Sequence, residues 1–106
     1  MVTSYHPPRV QMRTEASFQV DGMAMRGIIS DIGEKGVFLE TMSPPDPGAA
    51  VVIRFMVDGQ QFIADGKVVY SMPHMGAGIE FTLMSDEHRT LLRGFLAVNT
   101  LQTVGS

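Results

Sequence analysis

Val51-Val-Ile-Arg-Phe-Met-Val-Asp-Gly-Gln60 is the stretch of sequence from which the fold class can be inferred. If its first seven residues form a β-strand, Val51, Ile53, Phe55 and Val57 share one face, although the alternation is blurred by apolar residues on the other face. We expect the first face to be core. The Asp-Gly pair that follows favours a turn with positive φ at both central residues, which joins two strands in a tight hairpin. The stretch therefore predicts an antiparallel hairpin.

Similar short runs, rich in β-branched and aromatic residues, occur along most of the chain. A second Asp-Gly pair, Asp21-Gly22, separates two of them and predicts another hairpin. The densest cluster of proline and glycine, at residues 43–48, predicts a loop. The runs predict strands at residues 16–20, 23–32, 36–40, 49–57, 61–71 and 76–83. The aromatic residues in these runs are interpreted as core.

The periodicity changes near the end of the chain. Apolar residues there recur at the spacing of one helical stripe, namely Leu91, Leu92, Phe95 and Leu96. Ser85 is a suitable N-cap, and the acidic Asp86 and Glu87 would complement the dipole of the first helical turn. The pattern predicts a helix over residues 85–98 that covers an apolar surface of the barrel.

These elements predict one mostly β domain, a six-stranded antiparallel β-barrel with one C-terminal α-helix. The barrel is expected at residues 16–84, the helix at 85–98 and a short tail at 99–106. Residues 1–15 are polar and contain the pair Pro7-Pro8, so they predict a mobile N-terminal arm. A chain of 106 residues, 44% of them apolar, supports a single core.

Composition argues against several classes of function. The net charge of −3 disfavours binding of a nucleic acid backbone. With no cysteine, a disulfide, a thiolate metal cluster and a cysteine nucleophile are excluded, and a reducing cytoplasm is the expected location. No run of about 18 apolar residues predicts membrane insertion. His6, His74 and His88 lack metal-type spacing, and no catalytic motif indicates an enzyme.

Two short motifs carry the functional signal. Arg9 and Arg13 form an R-x-x-x-R pattern, and Asp31 to Gly36 forms D-x-G-x-x-G. An arginine presents a planar fork of donors that suits phosphate oxygens and the O6/N7 edge of guanine, whereas a carboxylate accepts hydrogen bonds from guanine N–H groups. Together the motifs predict a site for a guanine nucleotide. The same arginine spacing at Arg89 and Arg93 falls in the predicted helix, where it indicates only a solvated face.

The sequence resembles the PilZ domain family over most of its length. That family shows R-x-x-x-R ahead of a six-stranded barrel, followed by D/N-x-S-x-x-G. Arg9 and Arg13 match the first motif, and Asp31 and Gly36 match the ends of the second. Gly33 stands where the family usually has serine. Residues 76–81 also resemble the glycine-containing strand that precedes the closing helix in this family. The resemblance implies a receptor for cyclic di-GMP.

The resemblance also implies a role for each motif residue. Arg9 and Arg13 would bind the phosphates and guanine edges of the ligand, and Asp31 would accept from a guanine. Gly36 would permit a positive φ or a close backbone approach. Gly33 would offer only backbone where the family offers a hydroxyl donor. A neutral hydrogen bond contributes roughly 0.5 to 1.5 kcal/mol, so its loss should weaken binding about two- to tenfold.

Three functional classes follow. The first is a cyclic di-GMP receptor in which ligand binding orders the N-terminal arm and so signals to a downstream protein partner. The second is a PilZ-like domain without nucleotide binding that acts as a protein-interaction adaptor, to which Gly33 gives some support. The third is a small barrel for single-stranded nucleic acid, which the acidity and the lack of an aromatic platform disfavour. No cofactor or metal is expected in any of them.

Overall fold

Six antiparallel strands form a closed barrel, and one helix follows them. The computed structural model describes the backbone of residues 9–104 and the side chains of residues 9–99. Around the barrel the strands follow the order β1-β2-β3-β6-β5-β4. Their bounds are β1 Arg9–Val20, β2 Met23–Gly33, β3 Gly36–Glu40, β4 Ala50–Val57, β5 Gln60–Met72 and β6 Gly76–Leu83, with helix α1 at Asp86–Val104. The predicted fold class is confirmed.

Both Asp-Gly pairs form the hairpin turns that the sequence predicts. Asp21 and Gly22 have φ values of 52° and 78°, and Asp58 and Gly59 have 50° and 76°. Positive φ at both central residues gives the turn a twist that matches the right-handed twist of the flanking strands. The first turn therefore fixes the register of β1 on β2, and the second fixes that of β4 on β5.

The barrel interior is filled by apolar side chains from all six strands. The predicted core face of β4 is confirmed, because Val51, Ile53, Phe55 and Val57 are all buried. Helix α1 packs on β1, β4 and β5, which are neighbours in the barrel, and buries Leu92 and Leu96 there. The Ser85 hydroxyl accepts a hydrogen bond from the His88 backbone N–H at 3.1 Å, so the predicted N-cap is also confirmed.

Two predicted boundaries are wrong. Strand β1 begins at Arg9, not at residue 16, because Arg9 pairs with Gly33 and Val10 with Ile32 on β2. The predicted arm of residues 1–15 is therefore part of the barrel from Arg9 onward, and residues 1–8 lie outside the described part of the chain. The helix continues to Val104, so the predicted tail of residues 99–106 is helical through Val104. Helical hydrogen bonding needs no apolar stripe, so the helix extends past the last residue of the predicted stripe.

Bulges interrupt three of the strand pairings. Between the register pairs Gln11↔Asp31 and Thr14↔Ile29, Met12 and Arg13 on β1 oppose a single residue of β2. Similar shifts occur between β2 and β3 and between β5 and β6. Because a bulge bends a strand and redirects the side chains beside it, these irregularities decide which residues of β1, β2 and β5 point to the outside.

Candidate functional site

Arg9, Asp31 and Gly36 come together on the outside of the barrel, where β1, β2 and β3 lie side by side. Arg9 donates from Nε to Asp31 Oδ1 at 2.8 Å, and Arg9 Nη2 donates to the same oxygen. Arg9 Nη2 also lies 3.4 Å from the carbonyl oxygen of Gly36. The backbone pairing of Arg9 with Gly33, at the end of β2, places the guanidinium against the second motif. The structure thus joins the start of the first motif to both ends of the second.

Part of the hydrogen-bonding capacity of this cluster remains unused. Both bonds to Asp31 end on Oδ1, and within residues 9–99 its Oδ2 accepts no hydrogen bond. Arg9 Nη1 likewise donates to none of the described residues. The guanidinium can therefore offer an anion two further N–H groups while the carboxylate accepts from a second donor. Both side chains are partly exposed, at 46% and 36%, so a ligand can reach them from solvent.

Gly36 is required by a close backbone approach and not by a positive φ. The sequence suggested either a positive φ or a close backbone approach at Gly36. Gly36 is not among the glycines with positive φ, so the close approach is the reason that applies. A Cβ at this position would overlap the carbonyl oxygen of Ile79 and lie 3.2 Å from the Cα of Glu80. Gly36 therefore lets β3 lie close against β6, and the Gly36 carbonyl stays in reach of Arg9.

Gly33 is buried at the last position of β2, directly opposite Arg9 on β1. It offers no side chain to the site, as the sequence implies. Next to it, Glu34 lies 3.5 Å from Arg93 Nε of helix α1. Arg93, one of the two helix arginines with the R-x-x-x-R spacing, therefore contacts the D-x-G-x-x-G motif through Glu34. The sequence pattern did not predict this contact.

Arg13 does not join the cluster around Arg9. It lies at the bulge of β1, its side chain is 71% exposed, and its Nη1 is 3.3 Å from Glu40 Oε1 at the end of β3. Both motif arginines are thus held by carboxylates, Arg9 by Asp31 and Arg13 by Glu40. A phosphate that binds Arg13 would replace Glu40 as its partner.

A surface cavity of about 270 Å³ adjoins the Arg9 cluster. Arg9, Asp31 and Gly36 line it together with Phe38, Tyr70 and Gly78. Lys35 and Glu80 also line the cavity, so it contains two basic and two acidic side chains. The interpretation of the aromatic residues as core is wrong for Tyr70, which is half exposed. Tyr70 belongs to a strand whose bulge is not visible in the sequence.

No group of three or more histidine, aspartate or glutamate side chains within the described residues is arranged to hold a metal ion. No helix in the described part of the chain is both long and apolar enough to cross a membrane.

Several solved structures share the fold at low sequence identity. The inhibitor of motility MotI/DgrA of Bacillus subtilis has a TM-score of 0.78 at 9% identity, over 99% of this chain and 54% of that one. PlzA of Borreliella burgdorferi, solved in complex with c-di-GMP, has a TM-score of 0.70 at 14% identity, over 89% of this chain and 41% of that one. The present chain spans about half the length of the MotI/DgrA structure.

The PilZ domain of CeSA from a cellulose synthesizing bacterium is similar over nearly its whole length. The TM-score is 0.67 at 18% identity, and the match covers 86% of this chain and 96% of that domain. No curated protein sequence matches the chain significantly. The family model of the PilZ domain matches residues 6–97, which include both motifs and all six strands. The chain therefore belongs to the PilZ domain family.

Proposed function

We propose that this PilZ domain is a receptor for cyclic di-GMP. The observation that carries the proposal is the convergence of the Arg9 guanidinium, the Asp31 carboxylate and the Gly36 carbonyl beside an open cavity. A guanidinium suits the phosphates and the O6/N7 edge of the ligand, and a carboxylate suits the N–H edge of its guanine. Membership of the PilZ family, and the c-di-GMP complex of the similar PlzA fold, support the same ligand.

In this proposal each of the five motif residues has a distinct role in binding. Arg9 and Asp31 bind one guanine and its phosphate, Arg13 exchanges Glu40 for a second phosphate contact, and the backbone of Gly33 and Gly36 allows close approach. Arg9 is the first residue of β1, so a ligand bound to it would lie near the point where residues 1–8 join the barrel. We propose that binding orders this N-terminal segment and that the ordered surface signals to a downstream protein in the cytoplasm. No catalytic step is assigned to the chain.

Calorimetric titration of the purified protein with cyclic di-GMP tests the proposal, with GTP as the control ligand. We expect a dissociation constant in the micromolar range or below for cyclic di-GMP and much weaker binding of GTP. An exchange measurement on the backbone amides of residues 1–13 at saturating ligand tests the proposed output. Unchanged exchange there would exclude the switch and leave the binding intact.

The second candidate function is that of a protein-interaction adaptor that binds no nucleotide. Gly33 favours it, because the hydroxyl that the family usually presents at this position is missing. If the protein shows neither binding heat nor a thermal shift with millimolar cyclic di-GMP, the adaptor function replaces the receptor function.

Replacing Gly33 by serine should strengthen cyclic di-GMP binding about two- to tenfold, since it restores one neutral hydrogen bond. Gly33→Ala is the matched control, because it adds the Cβ without the hydroxyl. Affinities from calorimetry should rise for Gly33→Ser alone. Equal affinities of the two variants would show that the hydroxyl has no partner on the ligand here.

Replacing Glu40 by glutamine should also strengthen binding, by roughly two- to fivefold, because Arg13 would no longer have to give up a carboxylate partner. The exposed Arg13–Glu40 pair is weak, and the expected effect is correspondingly small. Glu15→Gln is the control, since Glu15 is another strand carboxylate that faces an arginine, Arg26 at 3.7 Å, but lies outside the motifs. Weaker binding by Glu40→Gln would instead show that Glu40 holds Arg13 in its binding position.

A further inference from the structure

A second surface cavity lies at the opposite end of β3 from Gly36. Strand β3 begins at Gly36, beside the Arg9 cluster, and ends at Glu40, which lines this second cavity. Its volume is about 480 Å³, compared with about 270 Å³ for the cavity beside Arg9. Four apolar and two ionisable side chains take part in its lining, namely Ile28, Phe38, Met42 and Met75, and Glu40 and His74. We call it the methionine cavity.

The apolar lining of the methionine cavity is not part of the barrel core. The four apolar side chains belong neither to the buried core nor to the half-buried apolar residues that pack against it. Met42 and Met75 are 71% and 57% exposed, and the Thr41 N–H donates to the Met75 carbonyl at 3.1 Å, so two separate segments hold the methionines near each other. Methionine side chains adapt to an incoming apolar surface, and contiguous exposed apolar patches are typical of interaction sites.

Glu40 gives the methionine cavity a charge that depends on Arg13. Glu40 is the one carboxylate among the described residues that line the cavity, and Arg13 Nη1 donates to its Oε1 at 3.3 Å. In the proposed function Arg13 leaves Glu40 for a ligand phosphate. The carboxylate then lies beside apolar side chains without its cation, an arrangement that favours a cation from another molecule. Charge complementarity therefore selects a basic group next to an apolar one.

We propose that the methionine cavity is the docking site for a segment of a partner protein that inserts an apolar side chain between Met42 and Met75 and pairs a lysine or arginine with Glu40. The inference rests on the proposed function and identifies the chemistry of its downstream partner. Arg13 couples the two sites, because it pairs either with Glu40 or with the ligand phosphate. Phe38 lines both cavities, so the partner lies next to the nucleotide. By linkage, nucleotide and partner strengthen each other's binding by the same factor.

A phage library of random short peptides, selected on the protein saturated with cyclic di-GMP, tests the predicted chemistry of the partner. Counter-selection on Met75→Asp removes peptides that bind elsewhere. We expect the enriched peptides to carry a large apolar residue close to a lysine or arginine. Enrichment of acidic peptides, enrichment of apolar peptides without a basic residue, or no enrichment over the counter-selected pool would overturn the inference.

Fluorescence anisotropy of one enriched peptide then measures the contribution of each group. Met75→Asp should weaken its binding about tenfold or more, since burial of an apolar side chain is lost. Met56→Asp is the matched control and should bind like the wild type, because Met56 is also exposed on a strand or turn of the barrel but does not line the cavity. Equal affinities of the two variants would contradict the assignment of the peptide to the methionine cavity.

The same measurement with and without saturating cyclic di-GMP tests the coupling. The exposed Arg13–Glu40 pair is weak, so the nucleotide should strengthen peptide binding by about two- to fivefold. Glu40→Gln should bind the peptide equally in both conditions, because no carboxylate is released. Equal peptide affinities in a wild-type protein that binds the nucleotide would overturn the inference and leave the proposed function standing. Absence of nucleotide binding by calorimetry would contradict both.

Discussion

Replacing Arg9 by alanine should weaken the binding of cyclic di-GMP by roughly 10- to 150-fold, corresponding to about 1.5 to 3 kcal/mol for hydrogen bonds to a charged partner. Arg9 is the residue that contacts both ends of the second motif, through Asp31 and through the carbonyl of Gly36. Its removal takes away the donors that face a phosphate and leaves Asp31 as an unpaired negative charge beside an anionic ligand. Calorimetric titration measures the loss.

Arg26→Ala is the matched control for Arg9→Ala. Arg26 also lies on the outside of the barrel and pairs with a carboxylate, Glu15, but it is on the far part of β2 and does not line the cavity. Both variants make the net charge of −3 more negative by the same amount, so a general electrostatic effect on the ligand would appear in both. A similar loss in the two variants, or unchanged affinity of Arg9→Ala, would contradict the assignment of Arg9 to the site.

Replacing Gly36 by alanine should lower the free energy of unfolding by about 2 to 3 kcal/mol, because overpacking of this kind forces the backbone to move. The new Cβ would overlap the Ile79 carbonyl oxygen on β6, which is backbone and cannot rotate away as a side chain could. For a domain of this size we expect the melting temperature to fall by roughly 10 to 20 °C. Thermal denaturation followed by circular dichroism measures the change.

Gly94→Ala provides the opposite control within the same chain. Gly94 lies in helix α1, and a Cβ there would meet nothing within 4 Å. Alanine in an exposed helical position is more stable than glycine by roughly 0.5 to 1 kcal/mol, so this variant should melt at a higher temperature. If Gly36→Ala melted like the wild type, the close approach of β3 to β6 would not be the reason for glycine at this position.

The barrel was predictable because its signals are local. Alternating apolar residues in β4 and the Asp-Gly pairs specify strands and tight turns through the conformations of a few neighbouring residues, and Ser85 marks the start of the helix in the same way. The end of the helix was missed because the apolar stripe stops before the hydrogen bonding does. The start of β1 was missed because residues 9–15 are mostly polar, and their few apolar residues are identified as strand only by the pairing with β2.

For the candidate site too, some properties could be predicted from local sequence and others depend on strand pairing. From the sequence alone, the types and spacing of Arg9, Arg13, Asp31 and Gly36 indicated guanine and phosphate chemistry, and the resemblance of the motifs to one family gave them an order and a context. These properties belong to the residues themselves. Which residues meet is decided by strand register, since neighbouring strands bring together positions that are far apart in the chain.

Only the tertiary structure separates Arg13 from the Arg9 cluster and pairs it with Glu40, and only it turns Tyr70 outward. Both outcomes depend on bulges, at Arg13 in β1 and at Val69 in β5. A bulge adds one residue to one strand of a pair and changes which side chains face outward beyond it. Whether that extra residue is accommodated depends on the partner strand. The sequence of a single strand therefore determines which of its residues face the core. It does not determine which side chains form the outer surface that a ligand would contact.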